Sequence, residues 1–421
     1  SLWTILPVLG TLLVLLFGGA GSLSDRILNL APLRWIGLIS YSAYLWHQPA
    51  FSIAKNGSWF TGSPWQSVVL IGITMILATA SWRWIEQPFR QQRLGKFWGG
   101  TVLVFAALAI FCFAILTHTS KGIPSRLPAQ VAEIAAFAES YHPNYRRCLF
   151  TRSEVGERDI AQSCQYGDQE PSVAIWGDSH AAALAGPLGD MLALRGVGAI
   201  QLTLSSCLPV PGLINNTQSR AERCPEFNAQ AVEYLLNSEA INTVVLHASW
   251  VSYFKNRSLK TMNGVEEFDH FFAYPTGGQP DMNVQDRRDV VGAVFGDLIF
   301  KLQAAGKRVI IVRTAPRPGV RVPELAARSV WREGTIASTP QFAMAYERFN
   351  RANPDMLFAE LVRNPDINTA NLHIMDPHDV FCGSTHCLTH NGEVPYYADG
   401  NHLSVPGANQ LADHVLRNVI D

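Results

Sequence analysis

Four apolar runs dominate the amino-terminal part of this 421-residue chain. They extend over residues 2–19, 35–53, 65–85 and 97–116. Each approaches the roughly 20 apolar residues that a helix needs to cross a bilayer. From Ser120 onward, charged residues and prolines reach the density of a soluble protein. The sequence therefore predicts four transmembrane helices within residues 1–118 and a soluble part after them. The length also predicts at least two domains, because single hydrophobic cores stop growing near roughly 250–300 residues.

The basic residues between these runs predict which side of the membrane the soluble part faces. The first connection carries Arg26 and Arg34, the second only Lys55, and the third Arg83, Arg90, Arg93 and Lys96. By the positive-inside rule, the first and third connections are cytoplasmic, so the residues after His118 are expected outside. The chain enters the first run at Ser1 with no basic region and no small-residue cleavage site. We therefore expect a fragment of a longer protein rather than a signal peptide.

Composition limits the partners and the compartment. The formal net charge is −1 and no run of lysines and arginines occurs, so no nucleic-acid partner is expected. Cys112 lies in the fourth apolar run, whereas the other six cysteines lie in the soluble part. An even count fits an oxidising compartment. Pairing in sequence order would give Cys148–Cys164, Cys207–Cys224 and Cys382–Cys387, although six cysteines allow many other schemes.

A zinc site is the alternative interpretation of the last cysteine pair. The stretch HDVFCGSTHCLTH, residues 378–390, packs Cys382, Cys387, His386 and His390 closely in sequence. Adjacent His386 and Cys387 would struggle to ligate one ion together, and the stretch has no Cys-x-x-Cys pair. A disulfide is therefore favoured, and no metal is expected.

Short apolar or β-branched runs alternate with helix-length segments in the soluble part. The expected strands are 172–176, 198–204, 243–246, 309–312 and 372–375, and the expected helices include 181–194, 286–305 and 405–420. Such alternation predicts an α/β sandwich with a parallel sheet over residues 171–421. Residues 119–170, with several glycines and prolines, are expected to form a linker with a short helix, outside the sheet.

Ser179 stands where the first strand of the predicted sheet meets a helix. The strand SVAIW runs into Gly177, Asp178, Ser179 and His180 and then into an alanine-rich helix. In such folds ligands sit beyond the carboxyl ends of the strands, and a helix amino terminus favours developing negative charge. Ser179 is therefore a candidate nucleophile with part of an oxyanion hole beside it. The alternative is that Ser179 only caps the helix.

A second candidate group, DGNHLS from Asp399 onward, precedes the last predicted helix. An Asp and a His three residues apart can share one loop, so that the carboxylate orients the imidazole toward a hydroxyl. Alone, such a pair is more often a solvated surface pair. A sheet, however, brings the turn after its first strand and the loop before its last helix to one edge. Ser179, His402 and Asp399 therefore predict a triad for acyl transfer.

The blocks WGDSH and DGNHLS resemble the first and last blocks of the SGNH (GDSL-like) hydrolase superfamily, over roughly residues 171–421. The resemblance implies a three-layer α/β domain in which Ser179, Asp399 and His402 form the catalytic triad. It also implies an oxyanion hole completed by a glycine N–H and an asparagine side chain.

Neither oxyanion residue stands at its expected strand end, where this sequence has TLSSCLP and VVLHASWVSY. For the glycine, the expected substitute is a backbone N–H at Ser205 or Ser206. For the asparagine, it is a group from His247, Ser249 or Trp250, although His247 is as easily a buried structural residue.

The apolar part carries a second resemblance. The stretches PLRWIGLISYSAYLWHQP (32–49) and SWRWIEQPFR (81–90) resemble the closing transmembrane motifs of the acyltransferase-3 family, which moves acyl groups from acyl-coenzyme A to extracytoplasmic carbohydrates. The resemblance implies that the amino-terminal part of such a domain is missing from this chain. It also implies that acetyl-coenzyme A is the acyl donor and that no cofactor stays bound. For His47 and Glu86 of these motifs, an interfacial or helix-packing role is favoured over a catalytic one.

Together, the two parts resemble bacterial O-antigen O-acetyltransferases of the OafA/OafB type and, more distantly, peptidoglycan O-acetyltransferases. The resemblance implies a multi-pass protein in the lipid of the bacterial inner membrane, with its soluble domain in the periplasm. That domain would transfer an acetyl group through a Ser179 acyl-enzyme to a glycan such as lipopolysaccharide O-antigen.

Two alternatives to this function stay open. The same triad serves water, which would make the domain a carbohydrate O-acetyl esterase, or the domain is a non-catalytic glycan-binding module. In either case the long connections of the sheet offer aromatic side chains for stacking on sugar rings, although each is more often core: Trp250, Tyr253, Phe254 and Trp331.

Overall fold

A computed structural model describes residues 5–19, 21–56, 63–91, 96–120, 122–151, 153–215, 223–254, 259–260, 266–267, 273–275, 283–339 and 341–419. The chain divides into two compact units, Ser1–Ile123 and Pro124–Asp421. The first unit is helical and largely apolar, and the second combines helices with a sheet.

The first unit has a helix at each of the four apolar runs. Its helices are α1 (Ile5–Phe17), α2 (Leu23–Leu28), α3 (Ala31–Asn56), α4 (Pro64–Ser81), α5 (Gln87–Arg90) and α6 (Lys96–Thr119), with a π-helical turn at Trp82–Glu86. Two helical stretches, Pro64–Arg90 and Gly100–Thr119, are long and apolar enough to cross a membrane, whereas α1 is a shorter apolar helix. Length and composition therefore support a crossing for the third and fourth predicted runs.

The two polar residues of the first unit that the motifs single out have nearby partners. The Ser42 hydroxyl of α3 donates to Glu86 Oε2 at 3.1 Å, and Glu86 Oε1 pairs with Arg90 at 3.1 Å. His47 Nδ1 lies 2.6 Å from the carbonyl oxygen of Tyr44, within the same helix. The bond between Ser42 and Glu86 joins α3 to the turn after α4, as a helix-packing role requires.

The second unit is built on a six-stranded sheet in the order β1-β3-β2-β5-β9-β11. The strands are β1 (Gln165–Tyr166), β2 (Pro171–Gly177), β3 (Gly198–Thr203), β4 (Leu213–Asn215), β5 (Thr243–His247), β6 (Leu259–Lys260), β7 (Glu266–Glu267), β8 (Ala273–Pro275), β9 (Arg308–Val312), β10 (Phe342–Ala343), β11 (Leu372–Met375) and β12 (His386–Cys387). All neighbours in the sheet are parallel except β1, which runs antiparallel to β3. The predicted α/β class and its five strands are thereby confirmed.

Helices cover both faces of this sheet. They are α7 (Ala129–Ala136), α8 (Tyr145–Cys148), α9 (Ser179–Ala193), α10 (Arg223–Asn237), α11 (Trp250–Phe254), α12 (Val284–Ala304), α13 (Val322–Glu333), α14 (Met344–Arg363), α15 (His378–Phe381) and α16 (Val405–Val419). Trp176 and Leu246 belong to one apolar core with residues of α10 and α12, whereas Ile175 and Val245 belong to a second core with residues of α9 and α16. Because successive strand residues point to opposite faces, an unbroken apolar strand supplies both cores. The result is three layers.

The prediction that residues 119–170 lie outside the sheet is wrong for the carboxy-terminal half of this segment. Tyr166 of β1 pairs with Ala199 of β3, and the Phe150 N–H donates to the Thr203 carbonyl at 2.8 Å. The predicted short helix is present as α7, which packs against α13. A two-residue strand shows no periodicity in a sequence, so its pairing is visible only in the structure.

Three disulfides join the cysteines of the second unit, Cys148 to Cys164, Cys207 to Cys224 and Cys382 to Cys387. His378, Cys382 and Cys387 offer ligand atoms within 4.8 Å of one another, but the two sulfurs are bonded together. His390 Nδ1 accepts the Gly392 N–H at 2.9 Å, and the exposed His386 contacts Thr385. In this disulfide form the zinc interpretation lacks its thiolate ligands.

We expect Gly177→Ala to destabilise the second unit by about 3 kcal/mol or more, because overpacking against backbone is costly. A Cβ at Gly177 would lie 1.7 Å from the His247 carbonyl oxygen, where β2 and β5 approach each other. Denaturant unfolding of the purified chain in detergent measures the loss. The matched control is Gly383→Ala, whose nearest atom would be the His386 carbonyl oxygen at 3.8 Å. Equal stability of the two variants would contradict this account of the strand approach.

Candidate active site

The helix cap beside the candidate nucleophile is Asp178. The Asp178 carboxylate accepts the His180 N–H at 2.8 Å, and Ser179 is the first residue of α9. The alternative that Ser179 is only a helix cap is therefore wrong. Ser179 lies at the carboxyl end of β2 and at the positive end of the dipole of α9.

Ser179, His402 and Asp399 come together although 223 residues separate the serine from the histidine. Ser179 Oγ lies 2.8 Å from His402 Nε2, and His402 Nδ1 lies 2.8 Å from Asp399 Oδ2. The packing of α9 against α16 holds the two ends of the domain in this arrangement. The order of carboxylate, imidazole and hydroxyl is the one that activates a serine nucleophile.

Two backbone N–H groups fix the Asp399 carboxylate. Its Oδ1 accepts the N–H groups of Asn401 at 2.8 Å and His402 at 2.7 Å. Burial alone would raise the pKa of Asp399, but the side-chain bond and charge of His402, with these backbone bonds, lower it from 3.8 to about 2. The carboxylate is therefore ionised at neutral pH. It accepts a proton-bearing Nδ1, which leaves His402 Nε2 free to take the proton of Ser179.

Two tyrosines from the segment before the sheet lie beside Ser179, His402 and Asp399. The Tyr141 hydroxyl donates to Asp399 Oδ2 at 3.4 Å, and the Tyr141 ring stacks on Tyr145 with centroids 4.4 Å apart. Burial raises the pKa of Tyr145, as do the charges of Asp178 and Asp399, while an interaction with the Ser179 hydroxyl opposes the rise. Both phenols therefore stay protonated. No sequence motif indicates these tyrosines, because residues 119–170 have the composition of a linker.

The buried carboxylate of Asp178 joins the ends of β2 and β5. Its Oδ2 accepts the Ser249 N–H at 3.0 Å and the Tyr253 hydroxyl at 3.0 Å. Burial raises the pKa of Asp178, and these hydrogen bonds oppose the rise. The turn that carries Ser179 is thus tied to the loop after β5.

Two further histidines lie beside the triad. His180 stacks on His402 with centroids 4.4 Å apart and meets the edge of His247 at 6.4 Å. Burial, reinforced by the charges of His402 and Arg317, lowers the pKa of His180 well below 6.5, so this ring is neutral. His247 Nδ1 donates to the Val312 carbonyl at 3.0 Å, and burial lowers its pKa as well. His247 is therefore a structural residue and not an oxyanion donor.

A cavity of about 140 Å³ opens beside Ser179. It is lined by Asp178, Ser179, His180, Ser206, Ser249, Ser252, Tyr253, Arg317, Asn401 and His402. A larger groove of about 710 Å³ lies elsewhere, against residues 156–161 and α10, and contains no member of the triad. The smaller cavity is the space next to Ser179, and all of its lining residues carry polar side chains.

Of the five candidates for the oxyanion hole, Ser206 and Ser249 line this cavity. Ser206 has φ 55°, the left-handed conformation that favours glycine. The Ser205 N–H donates instead to the Phe150 carbonyl at 3.3 Å, because residue 150 adds a bridge beyond the end of β3. The Trp250 indole N–H donates to the Val312 carbonyl at 2.9 Å, and its ring is buried in the core. The predicted oxyanion roles of the Ser205 N–H and the Trp250 indole are therefore wrong.

The aromatic candidates for sugar stacking have different surroundings. Trp250 packs against Phe295 in the core and is inaccessible to a ligand. Tyr253 is buried and reaches the cavity beside its bond to Asp178. Trp331 of α13 is 59% exposed, and the side chain of Phe254 lies outside the described part of the chain.

Arg317 also lines the cavity, although it belongs to none of the sequence motifs. Its Nη1 donates to Ser252 Oγ at 2.5 Å and lies 3.5 Å from Ser249 Oγ. It follows β9, whose neighbour in the sheet is β5. The rule that ligands bind beyond the carboxyl ends of strands would have indicated it.

Comparison with known proteins places most of the second unit in one family. Residues 147–417, more than half of the chain, match the family described as an SGNH domain fused to AT3 domains. The chain is also similar to peptidoglycan O-acetyltransferase OatA of Listeria monocytogenes, 31% identical over 94 residues, and to YrhL of Bacillus subtilis, 37% identical over 78 residues. These alignments cover 22% and 18% of this chain but only 15% and 12% of the relatives. The chain therefore spans a small part of their length.

A solved structure of a lipopolysaccharide acetyltransferase periplasmic domain from Salmonella serovar Paratyphi A is also similar. The match covers 70% of this chain and 98% of that domain, with 17% sequence identity and a TM-score of 0.45.

We expect the stabilisation that Asp399 provides to depend on pH. Its pKa is about 2 in the folded chain and 3.8 ordinarily, so its contribution is present above about pH 4 and is lost as the pH falls toward 2. The difference in melting temperature between wild type and Asp399→Asn should therefore shrink over this range. Asp413→Asn, on the exposed part of α16, is the control. A difference independent of pH would contradict the ionised clamp.

Proposed function

Because the chain belongs to the family of SGNH domains fused to AT3 domains, we propose that it is an O-acetyltransferase acting on a cell-surface glycan. The observation that carries the proposal is the hydrogen-bonded arrangement of Ser179, His402 and Asp399 beside a helix amino terminus. Ser179 Oγ lies 2.8 Å from His402 Nε2, and His402 Nδ1 lies 2.8 Å from Asp399 Oδ2. The name of the Listeria relative, a peptidoglycan O-acetyltransferase, supports the same chemistry. The proposed acceptor is a glycan hydroxyl such as one of lipopolysaccharide O-antigen.

In the first half-reaction, Ser179 Oγ attacks the carbonyl carbon of the acyl donor while its proton passes to His402 Nε2. The carbonyl electron pair moves to oxygen and forms a tetrahedral oxyanion. The Ser179 N–H at the start of α9 and the N–H of Ser206 are the proposed backbone donors to it. The intermediate then collapses, and the leaving group departs with the proton from His402.

In the second half-reaction, a sugar hydroxyl gives its proton to His402 Nε2 and attacks the acyl-serine. A second oxyanion forms and collapses, the acetyl group leaves on the sugar, and Ser179 recovers the proton from His402. Asp399 stays ionised throughout and stabilises each imidazolium, as its lowered pKa allows.

The first unit would supply the acyl group. We propose that all four apolar runs cross the bacterial inner membrane, with the basic connections in the cytoplasm and the second unit in the periplasm. Acetyl-coenzyme A is the proposed donor on the cytoplasmic side.

Two other functions use the same surface. An esterase would let water attack the acyl-serine, and a binding module would hold the glycan without forming an acyl-serine. The fusion to AT3-type helices favours transfer, since a deacetylase gains nothing from an attached acyl exporter. The aligned triad disfavours a mere binding module.

We expect an activated acetyl ester to acylate the purified chain at Ser179, as detected by intact mass and peptide mapping. Ser179→Ala should form no adduct, because it lacks the nucleophile. Ser338→Ala, an exposed serine outside the cavity, should be acylated like wild type. An adduct of equal yield in Ser179→Ala would disprove the assigned nucleophile.

We expect the acyl-serine to discharge faster to a glycan acceptor than to water. The acylated chain would be mixed with increasing O-antigen oligosaccharide, and both adduct loss and acetylated sugar would be followed by mass. A discharge rate that rises with acceptor concentration and yields sugar ester supports transfer. Discharge that ignores the acceptor would identify an esterase, and glycan binding without any adduct would identify a binding module.

A further inference from the structure

An oxyanion can be stabilised by side-chain donors as well as by backbone N–H groups. Ser249 follows the end of β5, where such a donor was expected, but its N–H donates to Asp178 and its short side chain bonds to Ser252. The indole of Trp250 is engaged by Val312 in the core. Of these groups only the Ser249 side chain lines the cavity, and its hydroxyl is a neutral group already bonded to Ser252.

Arg317 reaches the same place from the neighbouring strand. Its Nη1 lies 3.5 Å from Ser249 Oγ and 2.5 Å from Ser252 Oγ. It lines the cavity together with Ser179 and His402. A guanidinium carries five N–H donors in a fixed fork and can serve several acceptors at once.

The charge of Arg317 distinguishes it from the other residues of the cavity. Of the ten lining residues, it is the one whose side chain is permanently positive, since a guanidinium keeps its proton in proteins. The Asp178 carboxylate nearby is already bonded to His180, Ser249 and Tyr253. A positive donor held by serine hydroxyls in a small cavity stabilises a forming negative oxygen more strongly than a neutral donor does.

We propose that Arg317 is a further catalytic residue that donates a charged hydrogen bond to the oxyanion at Ser179. This inference rests on the proposed acyl transfer, because the oxyanion exists only if Ser179 attacks a carbonyl. Two other roles must be separated from it. Arg317 would be a structural brace if it only held Ser249 and Ser252, or a binding residue if it only held an acidic group of the acceptor.

The test measures the rate of Ser179 acylation by an uncharged activated acetyl ester in the full chain, with no acceptor present. Arg317→Met should slow acylation about 10²–10³-fold, as loss of one oxyanion donor does. Arg317→Lys, which keeps the charge without the fork, should lie between that variant and wild type. The matched control is Arg321→Met, an exposed arginine four residues along whose side chain pairs with Glu324.

Three further measurements separate the roles. Added guanidinium should partly restore acylation of Arg317→Ala, because it supplies the missing charged donor. Ser252→Ala removes the brace but keeps the guanidinium, so it should lose far less activity than Arg317→Met. Melting temperatures identify any variant that has lost its fold. If Arg317→Met does not fold, the acylation rate of Arg317→Lys is compared with that of wild type instead.

The inference is overturned if Arg317→Met is acylated at the wild-type rate, which would leave only an acceptor-binding role. It is also overturned if Ser252→Ala reproduces the full loss, which would identify a brace. If wild type forms no adduct at all, the proposed function fails first and this inference falls with it.

Discussion

The buried carboxylate of Asp178 is the interaction on which the rest of the site depends. Removing a carboxylate from water is costly, and the raised pKa of Asp178 reflects that cost. Three donors offset it: the His180 N–H, the Ser249 N–H and the Tyr253 hydroxyl. They come from α9, from the loop after β5 and from α11, so one side chain fixes three elements. The position of Ser179 follows from this network, because Asp178 is its immediate neighbour.

The same sheet geometry explains how distant residues of the chain meet. The parallel strands end at one edge, and the loop before α16 returns to that edge with His402 and Asp399. The segment before the sheet closes the arrangement from outside the matched family region, since the Ser140 carbonyl accepts the Val405 N–H at 3.0 Å and the Tyr141 hydroxyl reaches Asp399. The triad is therefore held by residues from both the amino-terminal and the carboxy-terminal parts of the second unit.

Sequence reasoning succeeded where a residue's environment follows from local pattern. The five parallel strands were recognisable because both faces of such a sheet are apolar, and the pairing of Ser179 with His402 followed from the shared strand edge. It failed where position depends on how loops pack. The Trp250 ring is buried in the core, and Tyr141 contacts Asp399 although its segment was predicted to be a linker. A loop has no periodic pattern from which one could predict which side chain faces a cavity.

In the proposed mechanism, the charges of Arg317 and Asp399 gain opposite charges beside them only during the reaction. The positive Arg317 lines the cavity beside Ser179, and the negative Asp399 lies 2.8 Å from Nδ1 of His402. The buried His180 stacked on His402 stays neutral, because burial and the charges of His402 and Arg317 lower its pKa. In the proposed mechanism, the oxyanion and the imidazolium form together when Ser179 attacks, so that each new charge is stabilised by an opposite one. In that mechanism, such a site favours charge separation in the transition state. That property suits both half-reactions equally, so the choice between sugar and water must come from groups that bind the acceptor and not from the triad.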